Sequence, residues 1–326
     1  MNTPRQIIQQ TLDFANPERI AHSFNPSDFV WASSNADTFA TDWQKDQGGN
    51  WFRLDEWGNR WGRVDESSKG EVTKGVLTSF DRLHYLHMPD FSRPSDYANV
   101  RQLRADHPDH WLIGGLPGFT FNIARKIRRI DQYLLDLAES PDEVHELNDL
   151  VDTAIHDMII NFAKAGVDCV MFPEDWGTQL NTLISPRMWR REFFPRFERF
   201  CALAHERGIK VFMHSCGQIT AIMPGLIEAG IDLFQFDQPD LHGIDRLAHY
   251  QKEYDVSFWC PVDIQITLQS KDKAIIRAKV REMVEKLWQR LGGGFIAGYY
   301  EDIPSIGLEP KWQQIACDEF LRLGIA

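Results

Sequence analysis

"RGIKVFMH" (207–214) joins a glycine that stops a helix to an apolar, strand-forming run. The same joint recurs at "AGVDCVMF" (165–172) and "AGIDLFQF" (229–236). Further apolar runs stand at "HWLIGGL" (110–116), "VSFWC" (256–260) and "GFIAGYY" (294–300). Each run is nearly continuous in apolar residues, as in parallel strands buried on both faces. Helical sequence lies between them. In "PDEVHELNDLVDTAIHDMIINFAKAG" the residues Val144, Leu147, Val151, Ile155, Met158, Ile159 and Phe162 recur at helical spacing. Ser140 is its expected N-cap, with Pro141 at the first helical position, Glu143 closing a capping box and Gly166 as C-cap. "SPRMWRREFFPRFERFCALAHERG" carries Pro195 in its middle and is expected to kink or break there. Alternating strands and helices predict a parallel sheet. The sequence has no glycine-rich dinucleotide fingerprint and no Walker loop, which points away from an open nucleotide-binding sheet. The expected class is α/β: a (β/α)8 TIM-type barrel with an N-terminal hairpin and helical extension.

One domain spans residues 1–326 in this reading, with an extension over 1–100 packed on the barrel and the main βα repeat over 101–326. The extension is rich in tryptophan, and "FRLDEWGNRWGRV" (52–64) predicts a hairpin turning at Gly58-Asn59. Its tryptophans are expected to serve packing more than ligand stacking. The formal net charge of -12 argues against a nucleic-acid partner and against an anionic membrane surface. Five scattered cysteines are not a disulfide framework. With no apolar run of spanning length and no signal-like start, a cytoplasmic protein is expected.

Candidate chemistry gathers just after the strands, where a barrel collects its mouth. After "DCVMF" come Glu174, Asp175, Trp176 and, further on, Gln179; after "DLFQF" come Asp237 and Gln238; Cys260, Asp263 and Gln265 follow "VSFW"; Tyr299, Tyr300, Glu301 and Asp302 follow "GFIAG". Glu174 or Asp175 can carry a proton or orient a ligand, and Tyr299 and Tyr300 can hydrogen-bond a substrate. Trp176, Gln179, Asp237, Gln238, Asp263 and Gln265 are candidate substrate contacts. His214 and Cys216 are the sharpest signal, because H-x-C offers the imidazole and thiolate that zinc prefers. Three readings stay open on spacing alone: a metal pair, a thiol with its base, or a buried inert pair. A catalytic zinc needs a third protein ligand, for which Glu301, Cys260 and Glu174 are the candidates. The basic run Arg125, Lys126, Arg128 and Arg129 is expected on a solvated helix face.

"FPEDWGTQLNTLISPRMWRREFFPRF" (172–197), "KVFMHSCGQI" (210–219), "PVDIQITL" (261–268) and "GGGFIAG" (292–298), in this order, resemble the uroporphyrinogen decarboxylase superfamily. That superfamily includes zinc- and corrinoid-dependent methyltransferases. The resemblance covers about residues 50–326, and "LDEWGNRWGRV" (54–64) is similar to an N-terminal segment of the methyltransferase-like members. It implies a (β/α)8 barrel. It also implies zinc on His214 and Cys216, with a later cysteine as third ligand. Here "EDIP" (301–304) stands where that cysteine falls, so Glu301 takes its place, with Glu174, Asp175 or Cys260 as the alternatives that could complete the shell. The arginine-rich motif with which the decarboxylases grip propionates is not found in this chain. The implied function is methyl transfer between a small methylated donor, or an acceptor thiol, and a separate corrinoid protein. "DLHGID" (240–245) lacks the final glycine of a corrinoid-carrying motif and is read as chance. A homodimer is one assembly the resemblance implies. The alternatives are a cofactor-free decarboxylase of a polycarboxylated substrate, and a barrel that binds a tetrapyrrole or a corrinoid protein without turnover.

Overall fold

The computed structural model describes residues 2–66, 68–139 and 141–325. Helix α1 (Pro4–Leu12) opens with a capping box between Thr3 and Gln6. Two short strands follow, β1 (Ala21–His22) and β2 (Phe29–Ala32). Next comes an antiparallel sheet of β3 (Gln44–Lys45), β4 (Trp51–Leu54), β5 (Arg60–Arg63) and β6 (Glu71–Lys74). Then α2 (Ala98–Asp106) leads to the repeat: β7 (Trp111–Gly115), α3 (Thr120–Arg128), α4 (Ile130–Glu139), α5 (Asp142–Ala165), β8 (Cys169–Pro173), α6 (Pro186–Glu192), α7 (Phe194–Glu206), β9 (Lys210–His214), α8 (Met223–Glu228), β10 (Leu233–Gln235), α9 (Ile244–Tyr254), β11 (Ser257–Cys260), α10 (Lys273–Met283), β12 (Phe295–Ala297) and α11 (Pro310–Leu323).

All six apolar runs form strands, and every pairing among them is parallel. The eight-stranded order is β1-β12-β11-β10-β9-β8-β7-β2. At its two ends the Asp28 N–H donates to the His22 carbonyl, so β2 follows β1 round the sheet. The result is a (β/α)8 barrel. Inward side chains alternate along each strand. Trp111 and Ile113, Cys169 and Met171, Phe212, Leu233, Trp259 and Ile296 fill the interior with Ala21 and Phe29. Ile7, Ile8 and Leu12 of α1 close its floor. Their outward neighbours, such as Leu112, Val170, Val211, Met213 and Phe234, join the core beneath the helices.

The extension differs from the sequence expectation in one respect. β1 and β2 lie within residues 1–100, yet they pair with β12 and β7 as staves of the barrel. β1 is too short to show as an apolar run, and β2 stands apart from the strand–helix repeat and leaves Trp31 half exposed. The rest of the extension is the antiparallel sheet. Its β4–β5 hairpin turns at Gly58-Asn59, with Gly58 at φ 86°. Asp55 locks that turn by accepting from the Trp57 and Asn59 N–H groups and from Trp61 Nε1.

The chain breaks at Pro195 into α6 and α7, with Ser185 capping α6 through the Met188 N–H. α5 ends on Gly166 at φ 91°. It begins at Asp142, one residue later than expected: Pro141 is the N-cap and not the first helical position, with no side-chain capping bond, and the expected cap Ser140 lies outside the described residues. The basic run of α3 is not a solvated face. Arg125 and Lys126 are half-buried, Arg128 is buried on Asp136, and only Arg129 is exposed. The helix is wedged against α4 and α5 and shares a small cavity with the extension, so each inward cation meets an acceptor or carboxylate. Among the described residues no helix is long and apolar enough to cross a membrane.

Asp37 and Glu56 meet beside Lys126 where the extension packs on α3. Burial pushes both carboxyls up, and for Glu56, with the Asp37 charge added, the pKa reaches about 8. An acid whose folded pKa is raised binds its proton more tightly in the fold. Its contribution is therefore fully present below its unfolded pKa and is lost as pH rises to about 8. Urea unfolding from pH 4.5 to 8 is expected to show the wild type losing roughly 2–4 kcal/mol relative to Glu56→Gln. Parallel pH profiles of the two proteins would refute this.

Candidate active site at the barrel mouth

The alternation that fills the barrel also aims its top layer. His214 lies two residues beyond the inward Phe212, and Gln235 two beyond the inward Leu233. The β9–β10 register pairs His214 with Gln235 directly. His214 Nδ1 bonds Gln235 Oε1, and Gln235 Nε2 donates to Asp237 Oδ1 at 2.9 Å. This chain assigns the proton. The amide turns its oxygen to the imidazole, so Nδ1 carries a hydrogen, and in the neutral tautomer the lone pair lies on Nε2.

That lone pair faces two further donors. Nε2 lies 3.3 Å from Cys216 Sγ and 3.7 Å from Asp175 Oδ1. Asp175 Oδ1 also accepts from the Cys216 N–H at 3.0 Å, and Oδ2 lies 3.5 Å from Arg125 Nη2. One ligand atom from each of Asp175, His214 and Cys216 lies within 4.8 Å of the others. Among the described residues no other three His, Cys, Asp or Glu side chains come as close. Burial opposes the Asp175 charge, but His214, the Cys216 N–H and Arg125 outweigh it and hold its pKa below the usual carboxylate range. Cys216 stands at the open side of the group. Desolvation of its sulfur, with the Asp175 and Asp237 charges nearby, pushes the thiol up to about 12. Without a cation the sulfur is therefore a neutral thiol.

Two glycines make this approach possible. Gly217 has φ 75°, and a Cβ there would lie 2.3 Å from the Gly177 carbonyl oxygen. A Cβ on Gly177 would lie 2.5 Å from the Gln218 nitrogen. The loops after β8 and β9 thus touch backbone to backbone, which carries Asp175 to Cys216.

A cavity of about 730 Å³ opens beside the group, above the inward ends of the strands. Tyr299, Tyr300, Glu301 and Asp237 stand in its wall, with His214 and Gln235. Gln313 of α11 holds the Tyr300 loop, its Oε1 accepting from the Tyr300 N–H and its Nε2 donating to the Tyr300 carbonyl. Glu301 faces the cavity outside the three-donor group. Other candidates are placed away from the wall. Glu174 is fully buried at the start of α3, where both carboxylate oxygens accept from the Asn122 N–H at 3.2 Å. Burial pushes its pKa up to about 8. Glu174 and Asp175 are consecutive and so project to opposite sides of the strand end. Trp176 is wholly buried, stacked on Phe121 at 4.1 Å. Cys260 is buried on the helix-facing side of β11. Asp263 is buried and braces its own turn through the Gln265 and Ile266 N–H groups. Gln265 is exposed. Gln179 is exposed and bonds Gln238 at 3.2 Å, outside the wall.

Among the wall residues not read as site residues in the sequence are Gln235, Lys69, Trp31 and Trp259. Gln235 had a signal, being a polar residue inside an apolar strand run. Lys69 comes from the extension, which therefore reaches the mouth, and nothing local marks it.

A barrel with a polar cavity at the C-terminal ends of its strands is the architecture of (β/α)8 enzymes. The sequence of residues 63–299 matches the uroporphyrinogen decarboxylase (URO-D) family model, so this chain belongs to that family. Among solved structures it is similar to a methyltransferase from Methanosarcina mazei, at 12% identity over 98% of this chain and 85% of that one, with a TM-score of 0.63. Fainter likenesses are to a B12-independent methionine synthase from Shewanella sp. W3-18-1 (13% identity, 98% and 86% covered, TM-score 0.41) and to a D-psicose 3-epimerase (12%, 70% and 82%, TM-score 0.42). No curated protein matches the chain.

Gly217→Ala is expected to destabilise the protein by about 2–5 kcal/mol, from left-handed strain plus overpacking. It should also part Cys216 from His214. A denaturation curve within 0.5 kcal/mol of wild type would contradict the backbone contact described here.

Proposed function

We propose that this chain is a zinc-dependent methyltransferase that moves a methyl group between a small substrate in the cavity and a corrinoid carried by a separate protein. The observation that carries this reading is the donor group of Asp175, His214 and Cys216 at the edge of the cavity. Oxygen, nitrogen and sulfur are the ligand types of zinc. With bonds of about 2.0–2.3 Å, tetrahedral donors stand roughly 3.3–3.8 Å apart. The separations of 3.3 and 3.7 Å from Nε2 fit that spacing. Gln235 adds the outer hydrogen bond that zinc-binding imidazoles commonly have. When bound, zinc would supply a Lewis acid with one open position for a lone pair, that of a substrate or of the group left behind as the methyl departs.

The remaining work falls to the chain's own residues. Gln235 keeps the Nε2 lone pair aimed at the donor group. Arg125 and the Cys216 N–H hold Asp175 ionised and oriented. Tyr299 and Tyr300 offer hydroxyls to a substrate, and Gln313 fixes the loop that presents them. The partner protein docks at the mouth, because the cavity opens there. A decarboxylase of a polycarboxylate would need a cationic wall. This wall sets Lys69 against Asp237, Glu301 and Asp302, which weighs for the methyltransferase.

Metal analysis of purified protein reconstituted with zinc is expected to give about one zinc per chain. Cys216→Ala and Asp175→Ala should lose it, and Glu301→Gln should keep it. Gln235→Leu should weaken zinc roughly 10–100-fold. Methyl transfer to free cob(I)alamin, followed in the visible spectrum of the cobalamin, should disappear with Cys216→Ala. A wild type that takes up no zinc would sink this reading.

A further inference from the structure

The cavity wall carries an inference about the substrate, resting on the methyltransferase reading. Three carboxylates, Asp237, Glu301 and Asp302, share the wall with the ammonium of Lys69. Lys69 Nζ lies 3.5 Å from Asp302 Oδ2, so those two charges offset each other. Asp237 receives the neutral Gln235 amide. Among the described residues neither Asp237 nor Glu301 forms an ion pair. Two negative charges are thus left facing the cavity. With a dication bound, one carboxylate, one thiolate and a neutral imidazole would match its charge; Arg125, 3.5 Å from Asp175 Oδ2, adds one positive charge outside the wall, and the balance around the cavity stays negative.

Much of the remaining wall is aromatic. Trp31 is 51% exposed, and its ring centroid lies 6.3 Å from that of Trp259, which also lines the cavity. Tyr299 and Tyr300 extend the aromatic surface. A tryptophan half uncovered at a barrel mouth is not packed for the core. Aromatic faces beside uncompensated carboxylates attract a weakly hydrated cation and repel an anion.

We propose that the substrate is a small methylated cation, a quaternary or protonated tertiary amine, held by the Trp31 and Trp259 rings and the Asp237 carboxylate. Such a donor needs no acid in the wall. As the N–CH3 bond breaks, both of its electrons stay on nitrogen. The methyl group bonds to the electron pair of the cobalt(I) nucleophile that the partner's corrinoid supplies. The amine leaves neutral, with no proton to acquire. The site therefore acts on a methyl donor and disfavours an anionic acceptor thiol.

Isothermal titration calorimetry on the full chain tests this with choline, its uncharged isostere 3,3-dimethylbutan-1-ol, and 3-mercaptopropionate. Choline is expected to bind at least about tenfold more tightly than the isostere. Trp31→Leu and Asp237→Asn should each weaken choline about 5–10-fold and leave the isostere almost unchanged. Equal affinity for choline and the isostere, or tighter binding of the thiol, would overturn the proposal. Measuring methyl transfer to cob(I)alamin alongside separates the two claims. Selective cation binding with no transfer from any donor sustains the cation site and sinks the methyltransferase reading. Transfer from a neutral methoxy donor, with no preference for choline, does the reverse.

Discussion

Closing eight parallel strands into a barrel forces every second side chain inward, and the site depends on that constraint. Phe212 and Leu233 are interior packing residues, so His214 and Gln235, each two positions on, face the axis at the mouth. The parallel register sets them side by side, and their hydrogen bond follows from that placement. A slip of one residue in β9 would send His214 into the helical layer and Met213 into the cavity. The floor is apolar for the same reason. α1 covers it with Ile7, Ile8 and Leu12, and solvent-facing chemistry is confined to the opposite end.

The loops add what the strands cannot. Asp175 and Cys216 leave neighbouring strands β8 and β9, and the contact between Gly177 and Gly217 lets those loops meet without side chains between them. Glu174 is drawn the other way, onto the N-terminal N–H groups of α3. Two adjacent carboxylates thus have divergent environments. Burial raises the pKa of one, while the second is held ionised by a histidine, a backbone N–H and an arginine.

What the sequence made legible follows the range of the interactions involved. The six strands of the repeat showed as apolar runs because burial on both faces leaves that mark. β1 did not, since two residues are too few for a pattern, and β2 stands apart from the strand–helix repeat with one of its four residues exposed. His214 and Cys216 stood out because their pairing is local. Asp175 was legible as a carboxylate at a strand end, but its place beside Cys216 depends on a loop contact between residues about forty positions apart, and sequence spacing does not encode that. Glu301 drew attention by its position in a family motif; the structure sets it in the cavity wall instead. The buried cations of α3 read as a solvated face because their partner carboxylates lie in other segments.

The donor group is organised before any cation reaches it. Asp175 is fixed by the Cys216 N–H and Arg125, and His214 by Gln235, through bonds that involve none of the lone pairs a metal would use on Nε2 or Sγ. Asp175 is already charged. Desolvation and neighbouring carboxylates hold the thiol near 12, so the zinc proposed here would have to displace the thiol proton, and its affinity would rise with pH as that proton is lost. The fold meets the cost of bringing the three donors together, through the barrel register and the glycine contact.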